Sequence, residues 1–132
     1  MLPHIISPYQ SVFIPRRLII DNILVAYETL HAMHSCMWGK QGFMAMKLDI
    51  SKAYDRVEWR LLEAIMERMG FASQWINLIM MCVRRTQYAV LVNGTLTGRI
   101  PPTRGIRQGD PISPYLFLLC AEVLSTLISK AN

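Results

Sequence analysis

Charge is scarce in this chain, and cysteine scarcer still. Asp, Glu, Lys and Arg together make up 17% of its 132 residues, against 52% apolar residues. A disordered chain needs the opposite balance, so the sequence is that of a globular segment. The three cysteines, Cys36, Cys82 and Cys120, stand far apart and are odd in number. That argues against a disulfide framework and fits reduced thiols inside a cell. The N-terminus, Met1-Leu2-Pro3-His4, lacks the charged start and long apolar run of a signal peptide. The most apolar stretch, Tyr115 to Ile128, reads as too short for a bilayer and carries Glu122 near its middle. Nothing here points to a membrane. There is no internal repeat, low-complexity tract or flexible linker, and no two aspartates are adjacent anywhere.

What is present fits one ordinary domain. A compact chain of this size buries roughly two-thirds of the surface its unfolded form exposes. The apolar share is generous for a free-standing domain and implies surfaces that meet something else. A net charge of +5 favours polyanions, although this alone is weak support for nucleic-acid binding.

Pro3, Pro8 and Pro15 punctuate the first segment and predict an extended, irregular lead-in. Asp21 then precedes Ile23, Leu24, Tyr27, Leu30 and His34, which predicts a helix with Asp21 as N-cap, ended by Gly39 and Gly42. Phe43 to Ile50 reads as a buried strand. Asp55 and Glu58 stand at capping-box spacing before an apolar stripe of Val57, Leu61, Leu62, Ile65 and Met69, with Gly70 suited to the position after the helix. Trp75, Leu78, Ile79 and Cys82 mark a third helix. Asn93-Gly94 between Tyr88–Val92 and Leu96–Ile100 predicts a tight hairpin. A loop rich in Pro, Gly and Arg follows, and then a helix from Ser113 as N-cap and Pro114 at the first position to about Lys130. The order of elements predicts an α+β fold, an antiparallel sheet covered by helices.

Two stretches exceed generic patterning: Lys47-Leu-Asp-Ile-Ser-Lys-Ala-Tyr-Asp-Arg-Val-Glu-Trp59 and Arg104-Gly-Ile-Arg-Gln-Gly-Asp-Pro-Ile-Ser-Pro-Tyr-Leu-Phe117. In this order they resemble the first palm motif and the following Gln-Gly motif of non-LTR (LINE-type) retrotransposon reverse transcriptases. Tyr9-Gln-Ser-Val-Phe-Ile-Pro-Arg-Arg-Leu-Ile-Ile-Asp-Asn22 resembles the fingers segment that leads into the palm. The resemblance covers essentially the whole chain. It implies a right-hand polymerase palm with part of the fingers: about 1–42 as fingers and lead-in, 43–132 as palm. Arg16 departs from the family, which usually has Gly there, and that puts the local turn in question.

The implied reaction is attack of a primer 3′-hydroxyl on the α-phosphate of a deoxynucleotide, assisted by two divalent ions, Mg²⁺ or Mn²⁺. Its partners would be an RNA template, a DNA primer and dNTPs, and the family's setting implies the nucleus. Mg²⁺ takes hard oxygen ligands, which an aspartate at a strand end can hold. By resemblance Asp49 is the metal ligand and catalytic carboxylate, and the Ile50 carbonyl also faces a metal. Taken alone, Asp49 reads as a cap for the turn after a strand; the motif reverses that. Tyr54 is by resemblance the aromatic beneath the incoming sugar that excludes a 2′-hydroxyl, where otherwise it reads as a buried ring. Gln108 and Gly109 would contact the nucleotide, with Arg107 and Asp110 shaping a loop that alone reads as a surface turn. Lys52, Arg104 and Arg107 are candidates for nucleic-acid phosphate, and Arg16-Arg17, Arg84-Arg85 and Arg99 for a template path. His31, His34 and Cys36 lack a fourth ligand, so zinc is not expected.

The family completes its metal site with a Tyr/Phe-Ala-Asp-Asp hairpin beyond the last helix, and this chain has no Asp-Asp pair. The upstream fingers and the thumb are also expected to lie elsewhere in a full-length polyprotein. Two other readings remain: a non-catalytic nucleic-acid-binding remnant of a retroelement, and an inert piece that does not fold alone. One carboxylate cannot position two divalent ions. The isolated 132-residue chain is therefore expected to give no primer extension on poly-rA/oligo-dT with Mg²⁺ or Mn²⁺. Template-dependent extension that disappears in the Asp49→Asn variant would overturn this.

Overall fold

The structure, a computed structural model, describes residues 6–7, 10–35 and 42–131. It forms two compact units, Met1–Ile50 and Ser51–Asn132. Pro3, Pro8, Tyr9, Cys36 and Gly39 lie outside the described residues.

In the first unit the described residues of the lead-in, 6–7 and 10–18, have no helix or strand. Arg17 ties it together: one guanidinium nitrogen donates to the carbonyls of Ser7 and Gln10, 2.6 Å each. Ile6, Ser11 and Ile14 are buried. The Arg17 side chain is anchored on the backbone of its own unit. Arg16 has φ 66°. The position where the family usually has Gly thus carries a left-handed backbone even with Arg, at a cost of about 1–2 kcal/mol.

Helix α1 spans Ile19–Ser35. It begins before Asp21, so Asp21 is not its N-cap. The Asp21 carboxylate instead reaches back from the first turn to accept from the Leu18 N–H at 3.3 Å, the acidic half of a capping box. None of the α1 residues is buried. Phe43 and Met44 lie beside Thr29, Ala32 and Met33 of α1 around an apolar hollow of about 400 Å³.

The expected strand over Phe43–Ile50 does not form. Residues 42–50 have no regular structure, and all are exposed. A strand is stabilised by a hydrogen-bonded neighbour, and the only ladder among the described residues joins two other segments to each other.

The second unit is built on helix packing. Helix α2 spans Trp59–Arg68 and α3 spans Ser73–Arg84. Strands β1 (Tyr88–Val92) and β2 (Thr95–Ile100) form the antiparallel hairpin, and α4 spans Ser113–Ala131. Helix α2 lies at the centre, packed against both α3 and α4. Its Leu62 and Met66 are fully buried, with Met80 of α3 and Leu118 of α4 nearly so. A three-to-four spacing puts Leu62, Ile65 and Met66 on one face and leaves Leu61 half exposed. Gly70, at φ 78°, closes α2: its N–H bonds the Glu67 carbonyl at 3.0 Å, and the Phe71 N–H bonds that of Met66 at 3.0 Å. This Schellman motif requires a left-handed residue, and Gly adopts that conformation without penalty.

The hairpin matches its sequence signal. Asn93 and Gly94 both have positive φ, 49° and 80°, as a type I′ turn demands. The fold is α+β, but the sheet is not covered by helices: every residue of both strands is exposed. The helices bury their apolar faces on one another instead.

Helix α4 is longer than the apolar stretch read from sequence. Its 19 residues are enough, by length and composition alone, to cross a membrane, and most of the helix is not buried. Its buried residues, Ser113, Leu116, Leu118 and Leu119, are in its first half. Burial pushes the Cys120 thiol up to about 11, so at neutral pH it is an uncharged packing group.

Because Leu62 is fully enclosed and Leu61 faces outward, the two leucines should respond differently to truncation. Leu62→Ala should lower the unfolding free energy by about 2–5 kcal/mol, and Leu61→Ala by no more than about 0.5 kcal/mol. Urea melts of both variants check this; equal losses would contradict the packing.

Candidate functional site

The two motifs are joined by main-chain hydrogen bonds in the second unit. The Gly105 N–H donates to the Val57 carbonyl at 2.8 Å, and the Ile106 N–H donates to the Tyr54 carbonyl at 3.0 Å. These bonds explain why α2 starts later than its capping-box spacing predicts. Residues Tyr54–Arg56 form a single 3₁₀ turn, and Val57 is extended (ψ 115°) with its carbonyl turned to the loop. The helix begins at Trp59, with Glu58 at the cap position and no side-chain cap bond. Asp55 is therefore in the turn rather than at the cap.

Gly105 makes the approach possible. Its φ is 87°, and a Cβ built there would sit 3.1 Å from both the Cα and the carbonyl oxygen of Asp55. The Trp59 indole Nε1–H donates to the Gly105 carbonyl at 2.7 Å. Arg104 and Glu58 approach to 3.5 Å, but both side chains are more than half exposed. Such a pair contributes about 0–1 kcal/mol, so the main-chain bonds and the partly buried indole bond decide the geometry.

Tyr54 is half-buried, and its ring stacks on Phe117 of α4, with centroids 5.0 Å apart and planes 13° from parallel. An offset aromatic pair adds about 0.5–1.5 kcal/mol. It also fixes the plane of the Tyr54 ring. Beyond Ile106, Arg107, Gln108 and Gly109 are exposed, and Gly109 has φ 93°. The Asp110 carboxylate accepts from the Ile112 N–H at 3.1 Å, and the Asp110 carbonyl accepts from the Ser113 N–H at 3.1 Å. Asp110 thus shapes the loop as its motif predicts. Ser113 is the first residue of α4 rather than its cap, and the Ile112 carbonyl accepts the first bonds, from Tyr115 and Leu116. Lys52 is exposed with φ 53°.

Tyr54, Gln108 and Gly109 thus belong to two segments that are bonded together. Asp49 and Ile50 are exposed and lie in the first unit, in the stretch without regular structure. Among the described residues no three His, Cys, Asp or Glu side chains come together to hold a metal. The described residues therefore do not complete a metal site.

Three contributors were quoted within the motifs but given no role by sequence reasoning: Trp59, Gly105 and Phe117. Their signal was motif membership alone. Trp59 and Gly105 are 46 residues apart, and nothing in either segment names the other as partner.

The reverse transcriptase (RNA-dependent DNA polymerase) family matches residues 1–132, and the chain belongs to it. Its relatives include Pol polyproteins of R2 retrotransposable elements, of the non-LTR kind its motifs resemble. It is 29% identical over 130 residues, 98% of the chain, to an uncharacterized 149 kDa protein of transposon TX1 from Xenopus laevis, covering 10% of that protein. A Pol polyprotein of the type-1 retrotransposable element R2 from Nasonia vitripennis is 38% identical over 77 residues, 58% of the chain and 8% of its own length. An uncharacterized mitochondrial protein of Arabidopsis thaliana is 58% identical over 42 residues, 32% of the chain and 34% of its own length. The chain thus spans about a third or less of the length of these relatives. No solved structure matches it.

Gly105→Ala should destabilise the second unit more than Gly109→Ala. Both residues have positive φ, a strain of about 1–2 kcal/mol for Ala, but only at Gly105 does the new methyl meet backbone, while the space at Gly109 is open. Urea denaturation of the two variants gives the comparison. A Gly109→Ala loss as large as that of Gly105→Ala would deny the close approach.

Proposed function

We propose that this chain forms the nucleotide-pocket part of an RNA-directed DNA polymerase acting within a longer retrotransposon protein. In this reading the Tyr54 ring lies beneath the incoming deoxyribose, and Gln108 and Gly109 face the nucleotide. Asp49 and the Ile50 carbonyl contribute ligands for a divalent ion, Mg²⁺ or Mn²⁺. Lys52, Arg104 and Arg107 contact phosphates of the RNA template, the DNA primer or the nucleotide. Residues 1–42 belong to the fingers and lead-in, and 43–132 to the palm.

The observation that carries the reading is the bonding of the Tyr54 turn to the Gln-Gly loop, with the Tyr54 ring planted on Phe117. A steric gate needs a ring that cannot swing away, and a half-buried ring stacked on a helix meets that need. The loop beyond supplies an amide side chain that can both donate and accept hydrogen bonds. When bound, the divalent ions would activate the primer hydroxyl and stabilise charge on the leaving group. Asp49 alone does not assemble them, so further carboxylates must come from outside the described residues.

The test uses a polymerase completed by exchanging this chain into the matching region of an active relative. Asp49→Asn should abolish extension without changing the melting temperature, since Asn keeps the shape and removes the charge. Tyr54→Val should raise ribonucleotide incorporation relative to deoxynucleotide, shifting the ratio of the two kcat/KM values. If Tyr54 is only a packing residue, the cavity costs about 2–4 kcal/mol and both activities fall together. Parallel loss for both sugars would reject the gate; normal turnover in the Asp49→Asn variant would reject the metal ligand.

A further inference from the structure

The Gly105–Ile106 peptide is held from both sides. Its N–H, on Ile106, donates to the Tyr54 carbonyl at 3.0 Å, and its C=O, on Gly105, accepts from the Trp59 indole at 2.7 Å. A peptide is a planar unit, so fixing both of its polar groups fixes its rotation and the direction in which the chain leaves it. The chain that leaves is Arg107-Gln108-Gly109. With glycines at positive φ on either side, at 105 and 109, this loop has more freedom to re-aim than most. Trp59 opens α2, whose Leu62 and Met66 are the most deeply buried residues of the unit, so the indole is carried on a rigid element. The neighbouring Arg104–Glu58 pair is too exposed to serve instead.

We propose that Trp59 is a positioning residue for sugar selection: its indole N–H locks the Gly105–Ile106 peptide and so holds the Gln108 turn in register with Tyr54. The inference rests on the reading of Tyr54 and Gln108 as nucleotide-pocket residues. Trp59 itself touches no substrate. Without its N–H the peptide keeps one anchor of two, the loop samples other directions, and contacts that depend on sugar identity weaken more than overall binding does.

The decisive variant is Trp59→Phe, which keeps an aromatic ring and removes the donor. Should it fail to fold, 3-benzothienylalanine at position 59 keeps the bicyclic shape and replaces only the N–H with sulfur. In the 132-residue chain, amide hydrogen exchange at Gly105 and Ile106, whose N–H groups are bonded to the Val57 and Tyr54 carbonyls, should speed up about fivefold or more, the equivalent of one neutral hydrogen bond. Amides within α2 and α4 should stay protected. In the completed polymerase, the dNTP-to-rNTP ratio of kcat/KM should fall by a similar factor, about fivefold. Tyr54→Val runs beside it as a control.

Faster loop exchange together with a lowered sugar ratio supports the proposal. Unchanged exchange at Gly105 and Ile106 overturns the lock. Faster exchange with an unchanged ratio, while Tyr54→Val shifts it, overturns the role of Trp59 and leaves the pocket standing. A ratio that moves with neither substitution overturns the pocket reading, and this inference with it. Exchange that rises throughout the unit, with a large fall in Tm, makes Trp59 a general packing residue and rejects positioning.

Discussion

The joining of the two motifs in the second unit depends on the Tyr54 and Val57 carbonyls accepting from the Ile106 and Gly105 N–H groups. A helix capped by Asp55 would have kept the Val57 carbonyl, though not the Tyr54 one, for its own ladder. Giving both to a distant loop delays α2 to Trp59, and that delay brings the indole to the helix start, facing the Gly105 carbonyl. It also leaves Tyr54 in an isolated turn, free to stack on Phe117. Each backbone bond contributes only about 1 kcal/mol, but the groups are short-range and directional, and they specify one arrangement of two motifs. Gly105 is the condition for all of it, since any side chain there would meet Asp55 main chain.

The packing divides the molecule into a part that is settled and a part that is open. Three helices around Leu62, Met66, Met80 and Leu118 bury their apolar faces on one another. The hairpin, α1 and residues 42–50 keep large apolar side chains at the surface, Leu91, Tyr27 and Met44 among them. Such exposure is unusual for a self-contained domain and marks faces suited to further protein. The chain covers only 8% to 34% of the relatives compared above, which agrees with that picture.

Sequence and structure agree where the physics is local. Asn93-Gly94 set the hairpin because the type I′ turn needs two positive φ values in succession. Gly70 ended α2 for a similar reason. Sequence and structure differ where a distant group intervenes or a neighbour is needed. Asp55 did not cap α2, because the loop claimed the adjacent carbonyls. Phe43–Ile50 did not become a strand, because apolar β-forming composition supplies no hydrogen-bond partner. Of the candidate site residues, Tyr54, Gln108 and Gly109 are found in bonded segments, while Asp49 and Ile50 sit in an exposed stretch of the other unit.

The sequence by itself determined family membership, since two ordered motifs carry residue types that polymerase chemistry restricts. It also determined the helix and turn positions that follow from periodicity and glycine. Only the tertiary structure decided that Trp59, Gly105 and Phe117 matter: the first two hold the motifs together, and Phe117 supports Tyr54. Hydrogen bonds and ring stacks across long separations depend on where two backbones meet. No residue pattern within either segment encodes that meeting, because the partner is chosen by the packing of α2 and α4 between them.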